Sequence, residues 1–174
     1  MSTAMPPPTP DPRVNSDAAR PVPDVANLGA VRPPLVYLGS IALGVILHLA
    51  RPLSLLPQGV TPRLGVPVVL LAIGLFLFSV RTFRAAGTPV PGNRPTTTIV
   101  RTGPYRVSRN PIYLAFSLLQ LGIALWVDSL WLVVTLLAAV AVMSLVVIPK
   151  EERYLEARFP SEYLSYKRSV RRWL

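Results

Sequence analysis

Four stretches of this chain, residues 33–50, 64–80, 110–127 and 129–149, contain no Asp, Glu, Lys or Arg. Each is close to the roughly 17–25 residues that an α-helix needs to cross a bilayer. They are rich in Leu, Val, Ile and Ala on every side rather than along one stripe, as expected of helices surrounded by lipid or by other apolar helices. A soluble bundle would need an outer polar layer, and the chain lacks the residues for one. Only 15% of its 174 residues are charged, against about 25% in an ordinary soluble domain. The expected fold is an all-α integral membrane protein of four transmembrane helices. A three-span arrangement with a re-entrant first or second stretch ranks lower. Only Asp128 separates the third and fourth stretches, so these should form a tight helical hairpin, with Trp126 and Trp131 at the membrane surface.

Absences narrow the chemistry. The chain has no cysteine and a single histidine, His48. That excludes disulfide frameworks, thiolate metal sites, a cysteine nucleophile and any two-histidine metal site. The absence of Asp, Glu, Lys and Arg from the four stretches counts against an ion-coupled carrier. Residues 1–34 hold nine of the 20 prolines and show no apolar periodicity, and they are expected to be a disordered tail.

Charge placement sets the orientation. Of the 18 Lys and Arg residues, only Arg51 and Arg63 fall in the first and third connections. The other sixteen lie in the tail, between the second and third stretches, and after the fourth. The excess of positive charge on cytoplasmic loops therefore puts both termini and the central loop in the cytoplasm, with a bacterial inner membrane as the expected location. The basic residues follow topology rather than forming a separate domain, so nucleic acid is not an expected partner. Membrane lipids are.

Two segments on that face exceed what a membrane requires. The loop from Gly87 to Tyr113 combines Gly, Pro, Thr and Arg without one acidic residue. It ends where Asn110 fits a helix N-cap and Pro111 the first helical turn, leaving a positive helix end that favours an anionic group. After the fourth stretch come four of the chain's eight carboxylates, Glu151, Glu152, Glu156 and Glu162. Tyr154, Leu155, Phe159, Tyr163, Tyr166 and Val170 recur there at three- and four-residue steps, as on an amphipathic cytoplasmic helix broken near Pro160. A basic interfacial helix lying on anionic lipid accounts for the cations. It does not account for Glu151 and Glu152, a carboxylate pair that is costly at a membrane exit unless it meets a cation or a donor.

The run Gly103-Pro104-Tyr105-Arg106 through Arg109-Asn110-Pro111-Ile112-Tyr113, an apolar hairpin, and then Glu151-Glu152 with Phe159, Tyr163, Tyr166 and Val170 resembles the isoprenylcysteine carboxyl methyltransferase and phospholipid methyltransferase superfamily. The resemblance covers roughly residues 80–174 and is closest to its small bacterial members. It implies methyl transfer from S-adenosylmethionine to a lipophilic or amphipathic acceptor, such as an isoprenylcysteine-like carboxylate or a phospholipid amine. It further implies that Tyr105, Arg109, Asn110, Pro111 and Tyr113, with Glu151 and Glu152, enclose the cofactor. On this reading residues 35–80 supply the first two helices and residues 81–174 the cofactor-binding core. Eukaryotic members usually have His where this chain has Asn110, which removes any role needing an imidazole. Arg81 or Arg84 falls where those enzymes place an arginine beside the substrate carboxylate.

The residue chemistry agrees. The cofactor presents an amino group, a carboxylate and a positive sulfur. Glu151 or Glu152 suits the cationic part, and Arg109 with the helix end at Asn110 suits the anionic part. Tyr105, Tyr113 or Tyr154 suits the adenine or the sulfonium. A carboxylate acceptor needs no general base, whereas for an amine Glu152 is the first candidate. The reading from another class is a non-catalytic scaffold whose Lys167, Arg168, Arg171 and Arg172 cluster docks anionic lipid or a partner.

Overall fold

The computed structural model describes residues 31–55, 61–88 and 96–174. Most of the expected proline-rich tail, and the Pro89–Pro95 part of the central loop, lie outside them. Among the described residues the chain is helical, and its extended structure is limited to an isolated bridge between Ser108 and Arg171. The helices are α1 (Pro33–Ala50), α2 (Thr61–Ala85), α3 (Pro111–Trp126), α4 (Leu130–Val142), α5 (Ile148–Arg158) and α6 (Pro160–Ser169). A 3-10 turn, Gly103–Arg106, precedes α3.

Three helical segments are long and apolar enough to cross a membrane: Pro33–Ala50, Arg63–Ala85 and Leu130–Arg158. The third expected stretch yields only the 16 residues of α3. At 1.5 Å per residue these cover about 24 Å, less than the roughly 30 Å hydrocarbon core. Asn110 lies just outside the helix, at the N-cap position expected of it, and Val127 belongs to the turn. That turn is tight. Asp128 takes a positive φ of 51°, a conformation that Asp tolerates better than most residues. Its Oδ1 accepts the Leu55 N–H at 2.9 Å, while Leu130 N–H donates to the Leu53 carbonyl at 2.9 Å. Ser129 caps α4 by accepting the Leu132 N–H. Trp126 is exposed, and Trp131 donates its ring N–H to the Arg51 carbonyl at 2.7 Å.

The fourth stretch does not end at Pro149. It continues through one widened π-turn, Met143–Val147, into α5. In that turn the Ile148 N–H reaches back five residues to the Met143 carbonyl. Proline lacks an N–H and its ring crowds the carbonyl four residues before it. A widened turn just before Pro149 gives the ring that room, so the helix continues.

α2 packs along α3, and α1 packs on α4. The approach is close where small residues meet. A Cβ on Gly122 of α3 would lie 2.7 Å from Val69 Cγ2 and 2.8 Å from Val69 N. One on Gly65 of α2 would lie 2.5 Å from Trp126 N. Polar bonds bridge α1, α3 and α4 inside the bundle. The hydroxyls of Tyr37 and Ser117 share a hydrogen bond of 2.8 Å, and Ser40 donates to Gln120 Oε1 at 2.6 Å. Gln120 Nε2 in turn donates to the Leu132 carbonyl and to Thr135 Oγ1, both at 3.2 Å. The outward faces remain apolar, with Leu38, Ile46, Leu49, Leu70, Leu71, Leu137 and Leu145 exposed, as helices surrounded by lipid require.

Gly122→Ala is expected to destabilise the protein by about 1–3 kcal/mol, the usual range for overpacking a close contact. Gly74→Ala, at a site with nothing within 4 Å, is expected to be neutral or slightly stabilising. Thermal unfolding of the two variants in one detergent checks the contrast.

Candidate active site at the charged end of the bundle

The ends of α2, α3 and α5 meet at one end of the bundle, and the central loop is folded against them. Thr97 N–H donates to Thr88 Oγ1 at 3.1 Å, and Thr96 N–H donates to the Tyr154 hydroxyl at 3.3 Å. Ile99 packs with Tyr163 and Tyr166 of α6, against Leu155, Phe159 and Val170. The repeating aromatic face expected after Pro149 is thus an inner face, broken at Phe159 as expected. Gly103 has a φ of 56°, and a Cβ there would lie 2.9 Å from Thr82 Oγ1. Only glycine combines that backbone with so close an approach to α2.

Gly103 leads directly to Tyr105, which is 4% exposed. Its ring meets Phe83 edge-on at 4.8 Å, and its carbonyl accepts the Tyr166 hydroxyl at 2.7 Å. The Tyr105 hydroxyl itself has no hydrogen-bond partner among the described residues.

Asn110 occupies the N-cap position of α3 and Pro111 its first turn, but Asn110 does not cap with its side chain. Its Nδ2 instead donates to the Arg172 carbonyl at 3.0 Å. The backbone explains this, because φ −128° and ψ 52° lie outside the usual capping conformation. Arg109 N–H donates to the Arg171 carbonyl at 3.0 Å. Residues 170–174 are therefore strapped across the start of α3.

Glu151 and Glu152 are both buried, at 7% and 6% exposed, and they have different partners. Glu151 Oε1 accepts the Tyr113 hydroxyl at 2.5 Å. No ion pair to Glu151 occurs among the described residues. Glu152 is gripped from two sides. Arg172 Nε and Nη2 donate to its two oxygens at 3.0 and 2.7 Å, and Arg109 Nη1 lies 3.1 Å from Oε1. The same Arg109 nitrogen donates to the Tyr163 hydroxyl at 3.3 Å. Arg109 Nε is buried without a partner among the described residues.

Burial pushes the Tyr163 phenol up to about 12, with the Glu152 charge adding to the effect and Arg109 opposing it. Burial likewise raises Tyr166 and Tyr105 above the ordinary phenol range. All three therefore keep their protons at neutral pH. The hydrogen bond to Glu152 raises Arg172 further, against the opposing effect of desolvation.

The site thus brings together Tyr105, Arg109, Asn110, Pro111, Tyr113, Glu151 and Glu152. Arg81 and Arg84 are exposed on the last turns of α2, flanking Phe83, whose ring touches Tyr105. Sequence reasoning did not assign Arg172, Tyr163 and Tyr166 to the site. For the tyrosines the signal was their spacing. For Arg172 there was little, since it stood among basic residues attributed to lipid contact. Arg172 in fact pairs with Glu152 and Lys167 with Glu156, which leaves Arg168 and Arg171 exposed.

Helices of membrane length with a buried carboxylate pair at one end, one carboxylate clasped by guanidiniums and the other held by a phenol, describe a membrane protein with a polar site at one face. The sequence pattern of the phospholipid methyltransferase family matches residues 60–162, and the chain belongs to this family. The family takes its name from phospholipid methyl transfer. The cobalt-zinc-cadmium resistance protein CzcN of Cupriavidus metallidurans is 37% identical over 75 residues, 43% of this chain and 34% of that protein. The chain therefore matches about a third of that relative's length. An uncharacterised protein of Haemophilus influenzae is 36% identical over 63 residues, which are 36% of this chain and all of that protein. No solved structure matches.

Glu152→Gln removes the carboxylate that faces the buried Arg109 guanidinium. Breaking a buried pair from one side costs about 3–5 kcal/mol, so this variant is expected to unfold at a clearly lower temperature than the wild type. Glu156→Gln, whose exposed pairing with Lys167 is worth little, is expected to change it hardly at all. Thermal unfolding in detergent compares the two.

Proposed function

We propose that the protein transfers a methyl group from S-adenosylmethionine to a lipophilic or amphipathic acceptor at the cytoplasmic membrane face. The single observation that carries this reading is Glu151, a buried carboxylate held by one phenol and lacking a cation among the described residues. Such a group is costly unless a cation joins it. The residues present fit the cofactor. Glu151 suits its cationic amino group or sulfur, the unpartnered Arg109 N–H suits its carboxylate, and the free Tyr105 hydroxyl offers a further donor. When bound, the cofactor supplies an activated methyl group.

Glu152 has a different place from the proton acceptor first considered. Both its oxygens already accept guanidinium donors, so it braces the wall rather than receiving a proton. An acceptor carboxylate needs no general base, which suits this arrangement. Arg81 and Arg84, exposed beside Phe83, provide cations for an anionic head group approaching along the apolar surface of α2. Either an isoprenylcysteine-like carboxylate or a phospholipid head group satisfies them. Four spans, with α3 as a short one, leave both termini on one side. The distribution of Lys and Arg makes that side cytoplasmic, in a bacterial inner membrane.

Calorimetry on the detergent-solubilised protein tests cofactor binding. Wild type is expected to bind S-adenosylmethionine and its demethylated product. Glu151→Gln is expected to lose at least about tenfold in affinity, the usual scale for a charged hydrogen-bond partner, with little change in unfolding temperature. Equal affinity in the variant would put the pocket elsewhere.

A further inference from the structure

Residues 170–174 do more than end the chain. They touch three elements at once: the start of α3 through Arg109 N–H and Asn110 Nδ2, α5 through Glu152, and the π-turn of α4 through Ser144. Trp173 Nε1 donates to Ser144 Oγ at 3.2 Å, and Arg172 Nη1 donates to the Ser144 carbonyl at a longer 3.4 Å.

That carbonyl is special for a local reason. In an uninterrupted α-helix it would accept the Ile148 N–H, but Ile148 bonds to the Met143 carbonyl instead. The next residue that a widened turn would offer is Pro149, which has no N–H. The Ser144 carbonyl is therefore left without a helical donor, and the Arg172 guanidinium supplies one.

The widened turn also decides where the carboxylates point. One extra residue in a turn rotates everything after it by about 100° relative to a regular helix. Without that rotation Glu151 would not reach the Tyr113 hydroxyl, nor Glu152 the Arg109 guanidinium. π-turns are rare and concentrate at functional sites, and this one is pinned from outside by two side chains 28 and 29 residues along the chain from Ser144.

We propose that Arg172 is a positioning residue: its guanidinium bridges Glu152 to the freed Ser144 carbonyl, fixing the rotation of α5 on α4 and so holding Glu151 at Tyr113. The proposal rests on the functional reading only for what the site binds. Arg172 needs the planar fork of a guanidinium, because a lysine ammonium on its flexible stem cannot hold two fixed directions at once.

Two measurements on full-length wild type, Arg172→Lys and Arg172→Ala in detergent test this. In hydrogen exchange, the amides of residues 150–155 should exchange about tenfold faster in both variants, while the middle of α3 stays protected. In calorimetry with S-adenosylhomocysteine, both variants should bind about tenfold more weakly. If Arg172→Lys restores wild-type protection, charge alone suffices and the positioning role is overturned. It is equally overturned if Arg172→Ala changes neither measurement, or if it lowers protection uniformly through the protein. If wild type fails to bind S-adenosylhomocysteine, the functional reading falls, while the exchange pattern still decides the role of Arg172.

Discussion

Glu152 is a buried carboxylate, and removing such a charge from water costs several kcal/mol unless opposite charge and hydrogen bonds replace the lost solvent. Two guanidiniums do so, Arg109 from the start of α3 and Arg172 from the C-terminal strap. Neither segment is adjacent to α5 in sequence. Satisfying one carboxylate therefore fixes which three parts of the chain must meet. It also fixes the neighbourhood of Glu151, one residue away on the same turn. Whether such a buried cluster adds net stability compared with apolar residues of the same size is a separate matter. Its effect here is on specificity, since few other arrangements of these helices would satisfy all three charges.

The membrane-embedded part serves that end. Lipid provides little hydrophobic drive between apolar helices, so close packing of small residues and a few internal hydrogen bonds set their arrangement. Gly65 and Gly122 bring α2 against α3, and Gln120 ties α3 to α1 and α4. The end of α2 then delivers Phe83 to Tyr105, and the end of the fourth stretch delivers Glu151 and Glu152. The widened turn before Pro149 sets the direction of this last delivery. In this protein, a residue that usually ends a helix instead re-aims one.

Much of this was legible in the sequence for simple physical reasons. Uncharged stretches of bilayer length have few soluble alternatives, so the membrane-length helices could be read directly. Asp128 as a tight turn and Pro160 as a break follow from backbone chemistry. The gathering of Tyr105, Arg109, Tyr113, Glu151 and Glu152 depended on two motifs spaced around a hairpin. What could not be read depends on contacts between distant residues. Asn110 looked like a cap because of its type, yet its amide turns to the Arg172 carbonyl, a partner that only the folded strap provides. Arg172 looked like one cation among several, since pairing with Glu152 leaves no local pattern. The π-turn was hidden because an apolar run looks the same whether or not one turn is widened.

The carboxylate pair divides the work of the site. Glu152 is satisfied from within the protein and braces the wall, while Glu151 is held by a phenol and has no ion-pair partner among the described residues. That division underlies the central claim, that the charged end of this bundle holds a cationic methyl donor beside lipid. Incubation of the purified protein, reconstituted in vesicles made from a bacterial lipid extract, with S-adenosylmethionine labelled in its methyl group tests the claim most directly. The account predicts label in the lipid-soluble fraction with wild-type protein, and none above background with Glu151→Gln. Equal labelling by the two proteins, or none with a wild type shown to be folded, would contradict it.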